Sequence, residues 1–257
     1  MQMNRRIKTI ALIPARYAAT RFPGKLMSLL GGKTVIRRSY ESALSTHLFD
    51  DVVVVTDSDV IYNEITSFGG KAMMSVKEHA CGSDRIAEAA EQFPDADIIV
   101  NVQGDEPFSE RTHLEKLLAV FSEPLSESID LASMMQRIEN PEQIDNPNVV
   151  KVVTDHQNFA ITFSRSRIPY PRDSEGIAYY RHIGVYAFRR KALIDFAHTP
   201  MTPLERAERI ECLRYIETGK KIKMVEVPSM GVGIDTPQDL IEAEKYLHLH
   251  KKSSTPL

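Results

Sequence analysis

Short apolar runs alternate with amphipathic stretches along the first half of the chain. Ile7-Lys8-Thr9-Ile10-Ala11-Leu12-Ile13 is β-branched and ends at Pro14, which predicts a buried strand. Asp51-Val52-Val53-Val54-Val55-Thr56-Asp57 is too continuously apolar to keep one face in water, and Asp97-Ile98-Ile99-Val100-Asn101-Val102 repeats the theme. Such runs belong to parallel strands covered on both sides. Between them, helical spacing is predicted over Val35 to Leu44, Asp59 to Phe68 and Ser83 to Phe93, the last with Ser83 as cap and Ile86 as first inward residue. Strand and helix in strict alternation predict a parallel sheet wound by right-handed crossovers.

The pattern changes near residue 128. Ile129 to Arg137, Val149 to Thr154, Phe159 to Phe163 and Tyr180 to Phe188 read as strands joined by polar turns, so antiparallel hairpins are expected. Helical periodicity returns from Pro203 to Thr218. Ile222 to Val227 is another strand, and Pro237 to His248 a closing helix started by Thr236 as cap. The expected organisation is therefore an α/β domain over residues 1–129, a β-rich insert over 130–190, and the rest of the α/β domain over 191–257.

Composition narrows the function classes. Thirty-two Lys and Arg against 35 Asp and Glu leave a formal charge of −3, which offers no electrostatic reason to expect nucleic acid or an anionic membrane as partner. The first apolar run is too short for a membrane span or a secretory core, and the two cysteines, Cys81 and Cys212, build no disulfide framework. A cytoplasmic protein is expected.

In an open parallel sheet, ligands bind beyond the carboxyl ends of the strands. The loop after the first strand, Pro14 to Lys25, gathers Arg16, Arg21 and Lys25 among small residues. Three cations there invite an anion such as a triphosphate; the plain alternative is a solvated loop whose cations point apart. The loop after the third strand, Gln103-Gly104-Asp105-Glu106-Pro107, sets two carboxylates beside a flexible glycine, a pattern that suits Mg²⁺, or else a helix cap. Asp235, after Gly231-Val232-Gly233-Ile234, offers another carboxylate if it meets Asp105 in space. Gly31-Gly32-Lys33-Thr34 copies the tail of a nucleotide-binding P-loop. Met27 stands where the leading glycine belongs and no strand leads into it, so a turn with an exposed Lys33 is the better reading.

Seven segments in order carry a family resemblance: Ile13-Pro14-Ala15-Arg16-Tyr17, Arg21-Phe22-Pro23-Gly24-Lys25, Val55-Thr56-Asp57, Asn101 to Pro107, Ser164-Arg165, Arg181-His182-Ile183-Gly184-Val185-Tyr186 and Gly233-Ile234-Asp235-Thr236-Pro237. Together, from about Lys8 to Tyr246, the chain closely resembles the 3-deoxy-manno-octulosonate cytidylyltransferases of lipopolysaccharide assembly. The resemblance implies a Rossmann-like nucleotidyltransferase sheet with helices on both faces and an inserted β-rich subdomain that binds sugar and forms a homodimer. It implies Mg²⁺ as cofactor, with CTP and a 3-deoxy-octulosonic acid (Kdo) giving CMP-Kdo and pyrophosphate.

By the same pattern, Arg16 and Lys25 hold the triphosphate, and Asp105 and Asp235 bind the metal; these four are the expected catalytic set. Ala15, Asp57, Ser83, Arg85 and Gln103 line the nucleotide. Arg21, Gln103, Arg165, His182, Tyr186, Glu208 and Glu211 face the sugar, with Arg165 forking onto its carboxylate. His182 is assigned to substrate binding and not to proton transfer. For the glutamates of the Leu204-to-Glu211 stretch, a solvated helix face with Glu/Arg pairs is the plain alternative, above all for Glu205.

Three departures from the family pattern stand out, of which the first keeps its hydroxyl and leaves CTP use intact while the others bear on the sugar. Ser83 replaces a Thr, Tyr170 and Pro171 replace a Trp and an Asp after Ile168-Pro169, and Cys212 replaces a Gln after Glu211. The 8-amino analogue of Kdo therefore stands as an alternative substrate, since Glu208 or Glu211 would accept from its amine. A sialic acid cytidylyltransferase or a sugar-1-phosphate nucleotidyltransferase is the nearest rival. A P-loop kinase and a non-catalytic nucleotide-binding subunit are more distant ones.

Overall fold

A computed structural model describes residues 6–18, 22–77, 79, 81–123, 126–173, 176–228 and 231–253. The chain is a mixed α/β protein of two compact units, Met1–Arg111 with Met230–Leu257, and Thr112–Ser229.

The first unit opens with β1 (Thr9–Ala15), a two-residue hairpin of β2 (Leu29–Leu30) and β3 (Lys33–Thr34), and α1 (Val35–Ser45). It continues through β4 (Asp51–Thr56), α2 (Asp59–Ser67), β5 (Ala72–Met74), α3 (Gly82–Ala90) and β6 (Ile98–Asn101). Its strands run parallel in the order β6-β1-β4-β5. Ile10 to Ile13 are each no more than 1% exposed, as expected for a strand covered on both faces. β1 continues through Pro14 to Ala15, beyond its predicted end. Its pairing with β6 ends at Leu12↔Asn101, so Pro14 needs no amide on that side and still lies in register with Val55 of β4.

Cys81, not Ser83, is the residue before α3; Ser83 is buried inside its first turn. The P-loop-like string is a hairpin turn: Gly31 and Gly32 have φ of 56° and 80°, Lys33 pairs with Glu41 at 2.5 Å, and Thr34 caps α1 by accepting from the Arg37 amide.

The second unit contains α4 (Arg111–Ala119), β7 (Leu131–Arg137), α5 (Glu142–Asp145), β8 (Lys151–Thr154), β9 (Ala160–Ser164) and β10 (Tyr180–Arg189). It ends with α6 (Arg190–His198), α7 (Pro203–Glu208), α8 (Cys212–Glu217) and β11 (Ile222–Glu226). β7 lies antiparallel to β10, β10 to β8 and β8 to β9, while β11 runs parallel to β7. This unit begins before residue 130 and extends past 190, because β11 pairs with β7 and α6 to α8 lie between β10 and β11 in the chain. The helix expected over Pro203 to Thr218 is two helices. Arg209 breaks it in the left-handed region, φ 54° and ψ 47°, after Thr202 and Glu205 start α7 as a capping box. α9 (Pro237–Ser253) closes the chain in the first unit. No helix among the described residues is long and apolar enough to cross a membrane.

Candidate active site

The first unit carries a cavity of about 280 Å³ at the carboxyl end of its sheet, lined in part by Ala15, Arg16, Lys25, Gln103, Asp105 and Asp235. Sheet register explains why segments so far apart in sequence meet here. β1 and β6 are neighbours, so the loops that leave them start side by side, and the Val102 amide donates to Leu12 O at 3.2 Å. The Ile234 amide donates to Asp105 O at 2.9 Å, strapping the third segment to the second. Ser39 of α1 donates its hydroxyl to Gly104 O at 2.8 Å and holds the Gln103–Asp105 turn from below.

Lys25 is the hub. Its Nζ donates to Asp105 Oδ2 at 2.5 Å and to Asp235 Oδ1 at 3.0 Å, and its side chain is only 14% exposed. Burial by itself pulls an ammonium down, but the two carboxylates outweigh it and hold Lys25 above its ordinary value. The lysine follows Gly24, whose φ of 69° reverses the chain and whose amide donates to Tyr17 O at 3.3 Å. Asp235 is set by the start of α9. The Asp239 carboxylate accepts from the amides of Asp235 and Thr236 at 2.9 and 2.7 Å, while Thr236 Oγ1 accepts from the Asp239 amide at 3.3 Å. This is a capping box spelled Thr236-Pro237-Gln238-Asp239, whose aspartate adds to the threonine cap and proline expected there.

Two carboxylates thus converge on one cation. No group of three or more His, Cys, Asp or Glu side chains is gathered as a cation cage among the described residues. That donor set fits Mg²⁺, which takes one or two protein carboxylates and completes its shell with phosphate oxygens and water.

The other expected nucleotide residues fall on or beside the same cavity. Arg16 is exposed and Ala15 buried along its edge. Arg85, itself only 3% exposed, also lines it and donates to Asp57 Oδ2 at 2.5 Å, so Asp57 is tied to the cavity through this arginine. Ser83 is buried in α3 and is not on the cavity wall. Arg21 lies outside the described residues.

The remaining sugar-facing candidates, Arg165, His182, Tyr186, Glu208 and Glu211, belong to the second unit. There the Arg165 guanidinium is turned onto backbone: Nε donates to Glu208 O at 2.6 Å, Nη1 to Pro147 O at 2.9 Å and Nη2 to Arg209 O at 3.3 Å. Glu208 in turn accepts from Ser164 Oγ and the Arg165 amide, and these donors outweigh burial to hold it below the usual carboxylate range. These bonds knit the end of β9 to the turn after α7, a task that residue types and spacing do not announce. Lys151, fully buried, braces the same region by donating to the carbonyls of Asn146, Val149 and Arg165.

His182 and Tyr186, each half-buried, form a polar cluster with the buried Ser133 and Cys212. His182 Nε2 lies 3.0 Å from Ser133 Oγ, and the Cys212 thiol 3.5 Å from the Tyr186 hydroxyl and 3.9 Å from His182 Nε2. Burial pulls His182 down to about 4 and pushes the Cys212 thiol up to about 12. It also raises Tyr186, with Cys212 and Glu211 adding to the effect. His182 is therefore neutral at pH 7 and serves as a hydrogen-bonding group. Glu205, the doubtful member of its stretch, is buried against Arg214 and faces no solvent.

The match to known proteins covers almost all of this architecture. The cytidylyltransferase family model matches residues 10–222. A 3-deoxy-manno-octulosonate cytidylyltransferase of Flavobacterium johnsoniae is 60% identical over 242 residues, 94% of this chain and 99% of that protein. One from Christiangramia forsetii is 58% identical over 241 residues, 93% of this chain and 97% of its own length. A solved CMP:2-keto-3-deoxy-manno-octonic acid synthetase complexed with CTP superimposes with a TM-score of 0.89 at 36% identity, covering 95% of this chain and 99% of that one. On the motifs, the fold and these relatives, the chain belongs to the 3-deoxy-manno-octulosonate cytidylyltransferase family of nucleotidyltransferases.

Proposed function

We propose that the chain is the enzyme that activates Kdo with CTP, giving CMP-Kdo and pyrophosphate for lipopolysaccharide assembly. The observation that carries the reading is the convergence of Lys25, Asp105 and Asp235 on one cavity at the sheet's carboxyl end. The names of the relatives supply the substrates. In the reaction the anomeric hydroxyl of the sugar attacks the α-phosphorus of CTP, the bond to the β-phosphate oxygen breaks, and the hydroxyl proton leaves with solvent.

Little covalent work falls to the protein, so positioning and charge neutralisation carry the barrier reduction. Arg16 stands exposed where a polyphosphate enters, and Arg85 fixes a positive charge in the wall. Lys25 offers an ammonium within the cavity, able to offset charge that grows on departing pyrophosphate. Asp105 and Asp235 would hold Mg²⁺, which when bound supplies Lewis-acid neutralisation at the phosphate. His182, neutral and bonded to Ser133, would orient the sugar by hydrogen bonding, with Tyr186 beside it. A homodimer and a cytoplasmic setting belong to the same proposal; the first rests on the family resemblance, the second on the short first apolar run and the two cysteines.

The test is pyrophosphate release with CTP, UTP and ATP, each crossed with Kdo, its 8-amino analogue and sialic acid. CTP with Kdo is expected to give the highest kcat/KM. A preference for the 8-amino sugar would move the reading to that analogue, and turnover of none of the three acids would end it.

A further inference from the structure

We propose that Lys25 competes with a divalent cation for the carboxylates of Asp105 and Asp235, so that a cation enters this site only as Lys25 is drawn off it. This rests on the reading of the two aspartates as cation ligands. The ammonium already donates to one oxygen of each acid, at 2.5 and 3.0 Å, so the two carboxylates share one compensating positive charge from the chain itself. A cation coordinated by those carboxylates would sit beside the ammonium, and two positive charges at such distances repel strongly.

Lys25 has somewhere to go. It lines the same cavity as Arg16 and Arg85, where a polyphosphate would offer it a new anionic partner. Drawing the ammonium onto the phosphates strips the aspartates of their counter-ion and raises their affinity for a cation. By linkage, the cation must raise the affinity for the nucleotide by the same factor. Lys25 would then keep the acids compensated until nucleotide and cation arrive together, and the free protein would hold a divalent ion only weakly.

The experiment is Mn²⁺ binding to the nucleotide-free, full-length protein, followed by the paramagnetic signal of free Mn²⁺. Lys25→Met is expected to bind Mn²⁺ about tenfold more tightly than the wild type, within the usual range of coupling between sites. Lys25→Gln, which removes the charge but keeps a donor, should rank the same way if the methionine variant folds poorly. Lys33→Met removes a lysine paired with Glu41 elsewhere in the unit and should leave the affinity unchanged, which separates local competition from net charge. Equal or weaker Mn²⁺ binding by both Lys25 variants, with Asp105→Asn still abolishing it, would overturn the competition and keep the aspartates as ligands. Mn²⁺ binding indifferent to Asp105→Asn and Asp235→Asn would remove the ligand assignment and the proposal with it.

Discussion

Glu205 and Arg214 form a two-toothed ion pair in the interior of the second unit, with Oε1–Nη2 at 2.6 Å and Oε2–Nε at 2.7 Å. The side chains are 3% and 6% exposed, and the guanidinium also donates to the carbonyls of Phe196 and Thr199 while lying 3.9 Å over the Phe196 ring. One pair thus joins α7, α8 and the end of α6. Removing one partner strands a buried charge, which costs about 3–5 kcal/mol. Arg214→Met should lower the urea midpoint of unfolding markedly, whereas Lys191→Ala, which breaks an exposed pair with Asp195, should move it by no more than about 0.5 kcal/mol equivalent. Equal effects would show the buried pair to be unimportant.

His182 gives stability a specific pH dependence. Folded, it titrates near 4; in an unfolded chain it returns to its ordinary 6.5. Above 6.5 both states are neutral and the residue has no effect. As pH falls from 6.5 towards 4 the unfolded chain takes up a proton that the folded chain refuses, so stability is lost, by at most about 3 kcal/mol. Below 4 the loss levels off. Thermal melts of the wild type and His182→Gln should converge in slope above pH 6.5 and diverge below it; parallel curves through the whole range would refute the assignment.

Gly104 leaves little room for a side chain. A Cβ there would stand 3.0 Å from Pro14 O and 3.2 Å from Ile36 Cδ1, and the first of these is backbone of β1. Gly104→Ala should cost about 1–3 kcal/mol and displace the neighbouring Asp105. Activity is expected to fall further than stability alone would dictate, measured at a temperature where the variant is fully folded.

The two thiols should differ in reactivity. Burial holds Cys212 protonated with its pKa pushed up to about 12, while Cys81 is only half-buried. Iodoacetamide at pH 8 should label Cys81 in the folded protein and Cys212 only after denaturation, read by peptide mass. Rapid native labelling of Cys212 would contradict its burial in the cluster it forms with Tyr186 and His182.

The parallel half of the fold was legible because its strands, such as Val52–Val55, are buried on both faces and so carry an unbroken apolar run. The short β5 and the hairpin β2–β3 carry too few residues to show a period, and α6 was lost because its pattern runs on directly from β10. Long-range pairing was also out of reach: nothing in Ile222 to Val227 announces that it lies parallel to β7 and pulls residues 191–228 into the second unit. At the candidate site, residue types in the loops after β1 and β6 pointed to Lys25 and Asp105, and the glycine-flanked Asp235 joined them as a further carboxylate that the family motif places at the metal. That Lys25 would bridge the two acids, and that Arg165 would turn its guanidinium to main-chain carbonyls, depends on side-chain packing that one-dimensional spacing does not encode.

Pyrophosphate release from CTP and Kdo by Asp105→Asn and Asp235→Asn, each compared with the wild type at saturating Mg²⁺, bears most directly on the catalytic account. Both variants should melt close to the wild type and lose at least about 100-fold in kcat, in line with the removal of a group that stabilises transition-state charge. Wild-type turnover in either folded variant would mean that its carboxylate has no part in the chemistry.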